Sequence, residues 1–511
     1  MKRILAVLLA CAAVLSAASC SSGSSSASES KADTTTAESQ TENDPETESE
    51  AEPEPEPLVL DDTPLVVPEL EIPDLETVKA EYAAAEKERA ELYEKLSKEY
   101  DHPVINITTE GGKKIKKKDE YSAAVIDLFN CDEQYKLSAA GGVKVRGNST
   151  ADQGREKPYR IKFEEKHNML GLHDGEEYKS WVLLKSNWNL VPDYMAFNLA
   201  KKIFGGEYYS SDVEYVNVYV NGKYMDLYIL CEQNQAQRLG LVEPEEGTNE
   251  ADIGYFVEMD NYPGEDHPFF TLEYSTEPIK DIDGESRIPV SAEYSVKSKI
   301  NTQGQLDFIE KYIKGVWQIV YEGVINNKPM MFDGQYNVVP ADGTYTVQQA
   351  CEAVLDTKSV ANMLILEELV HNYDVGEGSF YFAVDFSEGS KYNKLTMQAP
   401  WDFNWAYEGN GWGQWYASTW QPEVGSQDRS NPWFVVLMKA DWFRASVEQV
   451  WKDIGAPDSL NAVNEAVAAK AEEMRHDLGE EQSWRSDCGL DIVKFVKQRI
   501  LWLDKQFTEK A

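Results

Sequence analysis

The spacing of apolar residues changes twice along this chain. Leu75, Val78, Tyr82, Ala85, Leu92 and Leu96 recur at three- and four-residue intervals, interrupted only by Arg89. That spacing predicts one amphipathic helix of about seven turns over 69–100, opening at Pro73-Asp74 with Asp74 as N-cap. From His102 the period shortens to two. PVINITTE, YSAAVIDLF, GGVKVRG, YRIKF, YKSWVLL, EYVNVYV and KYMDLYILCE read as strands, and Asn221-Gly222 between the last two marks a tight hairpin. Pro192–Phe204 reads as a helix among them. Helical spacing then returns over Leu306–Val324, Val347–Leu355, Val360–Asn372, Trp433–Asp453, Leu460–Asp477 and Asp491–Phe507, broken by a hairpin, FYFAVDF and KLTMQAPW. Strands first and helices after is α+β order, not alternating βαβ.

What precedes the periodic region is of another kind. Lys2 and Arg3, an apolar stretch from Ile4 to Ala18 and then Ala17-Ala18-Ser19-Cys20 read as an export signal (residues 1–20) ending in a lipobox. Cys20 is the expected lipidation site, with ordinary secretion as the plainer reading. Between Ser21 and Pro68 stand 13 acidic residues and one lysine, with few apolar groups, so 21–68 is expected to be a disordered acidic tether. The body is then expected to sit outside the cell, held to the membrane only through its lipid.

Composition narrows the partners. An apolar fraction of 42% over 511 residues suffices for a sizeable core. A formal net charge of −40 argues against nucleic acid, which demands basic patches. The one dense basic run, Lys113–Lys118, reads as a solvated loop. Cys131, Cys231, Cys351 and Cys488 contain no C-x-x-C, leaving two disulfides or buried thiols open. The six histidines form no H-E-x-x-H, so a zinc hydrolase is not indicated.

Candidate chemistry gathers in three places. Arg146-Gly147-Asn148-Ser149-Thr150 sets a glycine and polar side chains at a strand end, where backbone N–H groups can approach phosphates; a polar turn is the plain alternative. On the following strand Lys157 and Lys162 fall on opposite faces, so at most one meets a given ligand. Far downstream, Asp374 follows a helix and precedes Gly376 and Gly378, while Asp402 stands among Trp401, Phe403 and Trp405. Phosphoryl transfer needs a cation on the phosphates, an acid near the acceptor hydroxyl and an acid holding Mg²⁺. Asp374 suits the hydroxyl and Asp402 the metal, Mg²⁺ or Mn²⁺, although a structural hydrogen-bond acceptor also explains Asp402.

The wording around these residues is more specific. KVRGNSTADQGREKPYRIKF (Lys144–Phe163) resembles the R-G-N-S-T and K-P-Y-R block of the CotH kinase family, secreted or spore-coat relatives of protein kinases. The likeness continues in WVLLKSNWN, YVNVYVNGKYMDLYILCEQ, IGYFVEMDNY, NMLILEELVHNYD and APWDFNWAYEGN, in family order over roughly 102–450. The resemblance implies a bilobal atypical protein-kinase-like fold, with a strand-rich N-lobe (101–235) and a helix-rich C-lobe (236–511). It implies ATP, a divalent metal, and transfer to Ser or Thr of surface or secreted proteins.

Lys162 then looks like the phosphate-pairing lysine, with Lys157 as rival. Arg146, Asn148 and Ser149 flank the phosphates, and Glu232 falls at the hinge beside adenine and ribose. Two departures stand out. The family continues W-D-F with a second Asp, where this chain has Asn404, which offers the metal beside Asp402 only a neutral carbonyl oxygen. The segment after Trp181 reads Asn189, Tyr194 and Met195, where relatives show an Asp and an Arg-Asn pair. A divergent kinase and a pseudokinase both fit. An adhesin or carbohydrate binder is the remaining alternative, because Trp401–Trp420 carries many aromatic faces suited to sugar rings.

Overall fold

The computed structural model describes residues 58–508, apart from 148–150, 152–155, 186–189, 261–266, 276, 278, 285, 288–290, 373, 377, 408–411 and 420–430. The expectations for Cys20, Asn148, Ser149, the signal and the tether up to residue 57 lie outside the described residues.

The seven alternating runs become β1 (Val104–Thr109), β2 (Ser122–Phe129), β3 (Leu137–Val145), β4 (Tyr159–His167), β5 (Tyr178–Leu184), β6 (Val213–Val220) and β7 (Lys223–Glu232). They close into a barrel in the order β1-β2-β3-β4-β5-β7-β6, with β1 parallel to β6 at the seam. Period two explains the filling. Ile107, Ile126, Val143, Ile161, Phe163, Trp181, Val218 and Leu230 point inward and share one core. Asn221 and Gly222 both take positive φ, 51° and 71°, as a two-residue hairpin turn requires.

The N-terminal helix is two helices, α1 (Glu76–Ala84) and α2 (Glu86–Glu99), broken at Ala85. The N-cap of the first is Leu75, not Asp74, although Asp74 accepts the Glu76 N–H at 3.1 Å from one residue further back. Residues 58–68 depart from the expected unstructured tether. Leu65 N–H donates to the Asn301 carbonyl, the Gln303 N–H to the Thr63 carbonyl and the Gly304 N–H to the Asp61 carbonyl, at 2.8–2.9 Å. Leu70 and Ile72 then cross onto the outer face of the barrel. The segment is a strap, and two glycines seat it. A Cβ on Gly304 would meet the Asp61 N and O at 2.5 Å, and one on Gly142 would meet the Tyr121 Cβ at 2.8 Å and the Ile72 Cγ2 at 2.9 Å. Gly304→Ala is expected to cost about 1–3 kcal/mol, through overpacking against backbone. Urea unfolding checks it; an unchanged midpoint would show that the strap adapts freely.

α3 (Pro192–Phe204) leaves the barrel and packs into a second, larger core. Pro192 opens it and Gly205, at φ 59°, ends it. That core surrounds a five-stranded sheet, of which only the hairpin of FYFAVDF and KLTMQAPW is expected from the sequence. β8 (Gly254–Met259), β9 (Phe269–Glu273) and β12 (Ser291–Val296) join β15 (Phe380–Asp385) and β16 (Thr396–Met397) in the order β16-β15-β8-β12-β9. β8 is buried throughout, so its sequence shows no alternation to read. Two small ribbons, β10 (Ile279–Lys280) with β11 (Ser286–Arg287) and β13 (Met330–Phe332) with β14 (Val338–Pro340), complete the strands described.

The helices of this part follow the expected spans, except that Trp433–Asp453 is two helices and the last one begins at Trp484. They are α4 (Gln303–Asn326), α5 (Val347–Val354), α6 (Thr357–Val370), α7 (Pro432–Leu437), α8 (Asp441–Asp453), α9 (Asp458–Leu478) and α10 (Trp484–Thr508). Cys131, Cys231, Cys351 and Cys488 are free thiols. No helix among the described residues is long and apolar enough to cross a membrane.

One carboxylate fastens α9 to the barrel. Asp477 accepts from the Asp101 N–H (3.0 Å), the His102 N–H and ring (3.2 and 3.0 Å) and the Asn217 amide (2.7 Å). Burial alone would raise its pKa, but these donors outweigh burial and hold it at about 2. A depressed carboxylate stabilises the fold above its unfolded pKa of 3.8 and loses that contribution as pH falls toward 2. Asp477→Asn should therefore flatten the acid limb of stability between pH 4 and 2 by about 2 kcal/mol. Urea midpoints across that range test this, and an unaltered limb would refute it.

Candidate functional site

Three chain segments converge where the barrel meets the second core. The end of β3 supplies Arg146, whose guanidinium lies 5.4 Å from the Trp401 ring. The first turn of α3 supplies Asp193, which accepts the Phe403 N–H at 3.2 Å. The turn after β16 supplies Asp402, at φ 64°, a strained value for a residue with a Cβ. Ser379, just ahead of β15, donates its hydroxyl to Asp402 at 3.4 Å.

The electrostatics mark this place. Burial and the charge of Asp402 push Asp193 up to about 7, against the Phe403 N–H and Arg146. Burial also raises Asp402, opposed by Arg146 and Ser379. Two buried carboxylates, one of them raised by the other's charge, beside a single guanidinium form a site short of positive charge. Its donors are hard oxygens, two carboxylates and a hydroxyl, and that set fits Mg²⁺ or Mn²⁺.

Asp374 lies at the start of the turn that ends at Ser379, and its carbonyl accepts the Gly378 N–H. The turn is pinned behind by Asn431, whose amide donates to the Val375 carbonyl at 3.0 Å. A second network fixes the helix before it. Glu368 on α6 accepts from the Tyr416 N–H (2.8 Å) and from the Ser418 N–H and hydroxyl (3.0 and 2.7 Å). Arg499 on α10 binds the Glu368 carboxylate at 3.1 Å and donates to the carbonyls of Glu368, Trp412 and Gln414. His371, ending α6, stacks on Tyr416 at 4.3 Å.

The other expected residues fall elsewhere. Lys162 points outward from β4, where its ammonium meets the Leu70 carbonyl at 3.2 Å and Glu69 at 3.9 Å. The cation set beside Asp402 is Arg146 instead. Lys157 donates to the Ala151 carbonyl. Glu232 is fully buried, and its carboxylate is engaged by Arg238 (3.4 Å), His173 (3.2 Å) and the Asp212 N–H (2.7 Å). Burial pushes it up to about 8 in spite of Arg238. It therefore fastens the end of β7 rather than greeting a ribose. Asn404 is exposed, two residues beyond Asp402. In the aromatic run Trp401 and Tyr416 are buried, and only Trp405 (39%) and Trp412 (48%) present large exposed faces among the described residues.

Asp193 is the residue that sequence reading passes over. An acid in a helix's first turn is commonplace, since it complements the helix dipole, and only the fold brings it to Asp402.

A family model described as CotH kinase protein matches residues 143–318 and 337–487. The chain belongs to the CotH kinase family. No curated protein matches it. CotH membership makes the chain an atypical protein kinase by family, with nucleotide, divalent metal and a protein acceptor as the general requirements. The matched spans take in Arg146, Asp193, Asp374 and Asp402, so the place where the carboxylates meet belongs to the CotH region itself.

Proposed function

We propose that this CotH kinase is an exported, lipid-anchored enzyme that transfers the γ-phosphoryl of ATP to Ser or Thr hydroxyls of surface or secreted proteins. The observation carrying this reading is the convergence of Asp402, Asp193 and Arg146 with the turn from Asp374 to Ser379. In it, the barrel and the second body act as the two lobes of a kinase. Asp402 and Asp193 would hold a divalent ion, with the Ser379 hydroxyl fixing the Asp402 carboxylate. A bound Mg²⁺ or Mn²⁺ supplies charge neutralisation to the phosphates. Arg146 restrains the two acids before nucleotide arrives and adds positive charge where phosphate oxygens gather. Asp374 orients the acceptor hydroxyl and takes its proton. Export and lipid attachment rest on Lys2, Arg3, the Ile4–Ala18 stretch and Cys20.

The test is direct. The purified chain is incubated with γ-labelled ATP, Mn²⁺ or Mg²⁺, and Ser/Thr-rich acceptor proteins. Metal-dependent label on Ser or Thr supports the reading. ATP binding without transfer would make the chain a pseudokinase, as the exposed Asn404 in place of a second acid allows. Trp405 and Trp412 favour one other outcome: saturable glycan binding with no response to nucleotide would make the chain a cell-surface carbohydrate binder.

A further inference from the structure

A lysine sits inside the second body, on the five-stranded sheet, and no role described so far uses it. Lys297 follows β12 directly. Its ammonium lies 2.9 Å from the Glu258 carboxylate and 2.8 Å from that of Asp260. Its backbone N–H donates to the Phe256 carbonyl at 2.7 Å, which fixes the root of the side chain. Glu258 faces Tyr381 across the β8–β15 ladder and Ser295 across the β8–β12 ladder. The Tyr381 hydroxyl donates to Glu258, and the Tyr381 ring stacks on Phe256 at 5.0 Å.

The position matters more than the pairing. Tyr381 lies two residues along the chain from Ser379, the partner of Asp402. The charge of Arg146 acts on both Asp402 and Tyr381. One path of contacts thus runs from Asp402 through Ser379 and the start of β15 to Tyr381, Glu258 and Lys297. Two of the three ammonium donors are directed by Glu258 and Asp260, and the side chain keeps 19% of its exposure. Lys162 has none of these relations, since Leu70 and Glu69 meet it on the far side of the barrel wall. Lys185, a more deeply buried lysine, pairs with Asp226 and is 2% exposed, which closes it to a ligand.

From this geometry we propose that Lys297, held by Glu258 and Asp260, is the ammonium that pairs with the phosphates of the nucleotide. The inference rests on the kinase reading above and sharpens it. The carboxylates act as a cradle that keeps a flexible four-carbon stem in one place before ligand arrives. Phosphate then meets a cation already ordered, at little entropic cost.

The experiment compares ATP with adenosine, each measured by titration calorimetry in Mn²⁺ buffer on the full chain. Lys297→Met is expected to weaken ATP by about 10- to 100-fold, the loss of one charge-assisted phosphate contact, with adenosine unchanged. Lys162→Met is expected to leave both ligands unchanged. Because Lys297→Met strands two acids, the double variant Glu258→Gln with Lys297→Met is measured beside it, and the same selective loss is expected there. Equal affinity for ATP in wild type and both Lys297 variants overturns the assignment while leaving the kinase reading intact. So does a parallel loss of ATP and adenosine, which marks a structural role. A wild-type chain that transfers no phosphoryl and binds no ATP takes both readings down together.

Discussion

Replacing Asp374 by Asn is expected to lower the rate of phosphoryl transfer by about 10²- to 10⁴-fold, with little change in the KM for ATP. The split follows from where the carboxylate acts. A group that orients a hydroxyl and accepts its proton is engaged most strongly at the transition state, so its loss appears in kcat. Asp402→Asn should behave differently. Loss of a carboxylate from the hard-oxygen set weakens the metal-bound nucleotide as well as the rate, so the Mn²⁺ dependence shifts to higher concentration while kcat falls. Asp402→Asn also removes the charge that raises Asp193. Steady-state kinetics over a grid of ATP and Mn²⁺ concentrations separate the two patterns. Full transfer by either variant would remove that residue from its assigned role.

The largest effect on stability is expected at Arg499. Its guanidinium is fully buried and holds the Glu368 carboxylate together with the carbonyls of Glu368, Trp412 and Gln414. Arg499→Met leaves a buried carboxylate uncompensated and takes a donor from three carbonyls. Breaking a buried pair in this way typically costs about 3–5 kcal/mol. Glu368→Gln should cost less, since its amide oxygen keeps one of the two N–H donors, Tyr416 at Oε2 or Ser418 at Oε1, and Arg499 keeps its three carbonyls. The double replacement should cost less than the two singles combined, because each single strands the other's partner. Urea unfolding of the four proteins measures the coupling. A loss below about 1 kcal/mol for Arg499→Met would show that water reaches the site.

Sequence periodicity carried far in the barrel and the long helices. Alternation and three-four spacing made them legible, even in β2, where all but the first position are buried. β8 and α6 show the limit from the other side. Both are buried almost all round; α6 still shows helical spacing, while β8 gives no sign of a strand. The strap was misjudged for another reason. Its acidic, proline-bearing composition is that of a tether, and what orders it is backbone pairing to Asn301 and Gln303, which leaves no mark on side chains.

The candidate site was legible in part. Asp402 and Arg146 stood out by the words around them, and the fold brings them together. Asp193 and Lys297 did not, because each is an ordinary residue in its own segment and gains meaning only from contacts across more than 30 residues of chain. Lys162 was chosen by its place in a motif, and alternation on β4 turns it outward.

The strap also has a mechanical consequence. Leu65 is fastened to Asn301 and Leu70 to Lys162, and the five residue steps between them reach about 18 Å when drawn straight. At that edge the barrel and the second body can part no further until one fastening gives. Any tug on the amino-terminal end falls first on the bonds at Asp61, Thr63 and Leu65, which bear it as a group before the barrel feels any load.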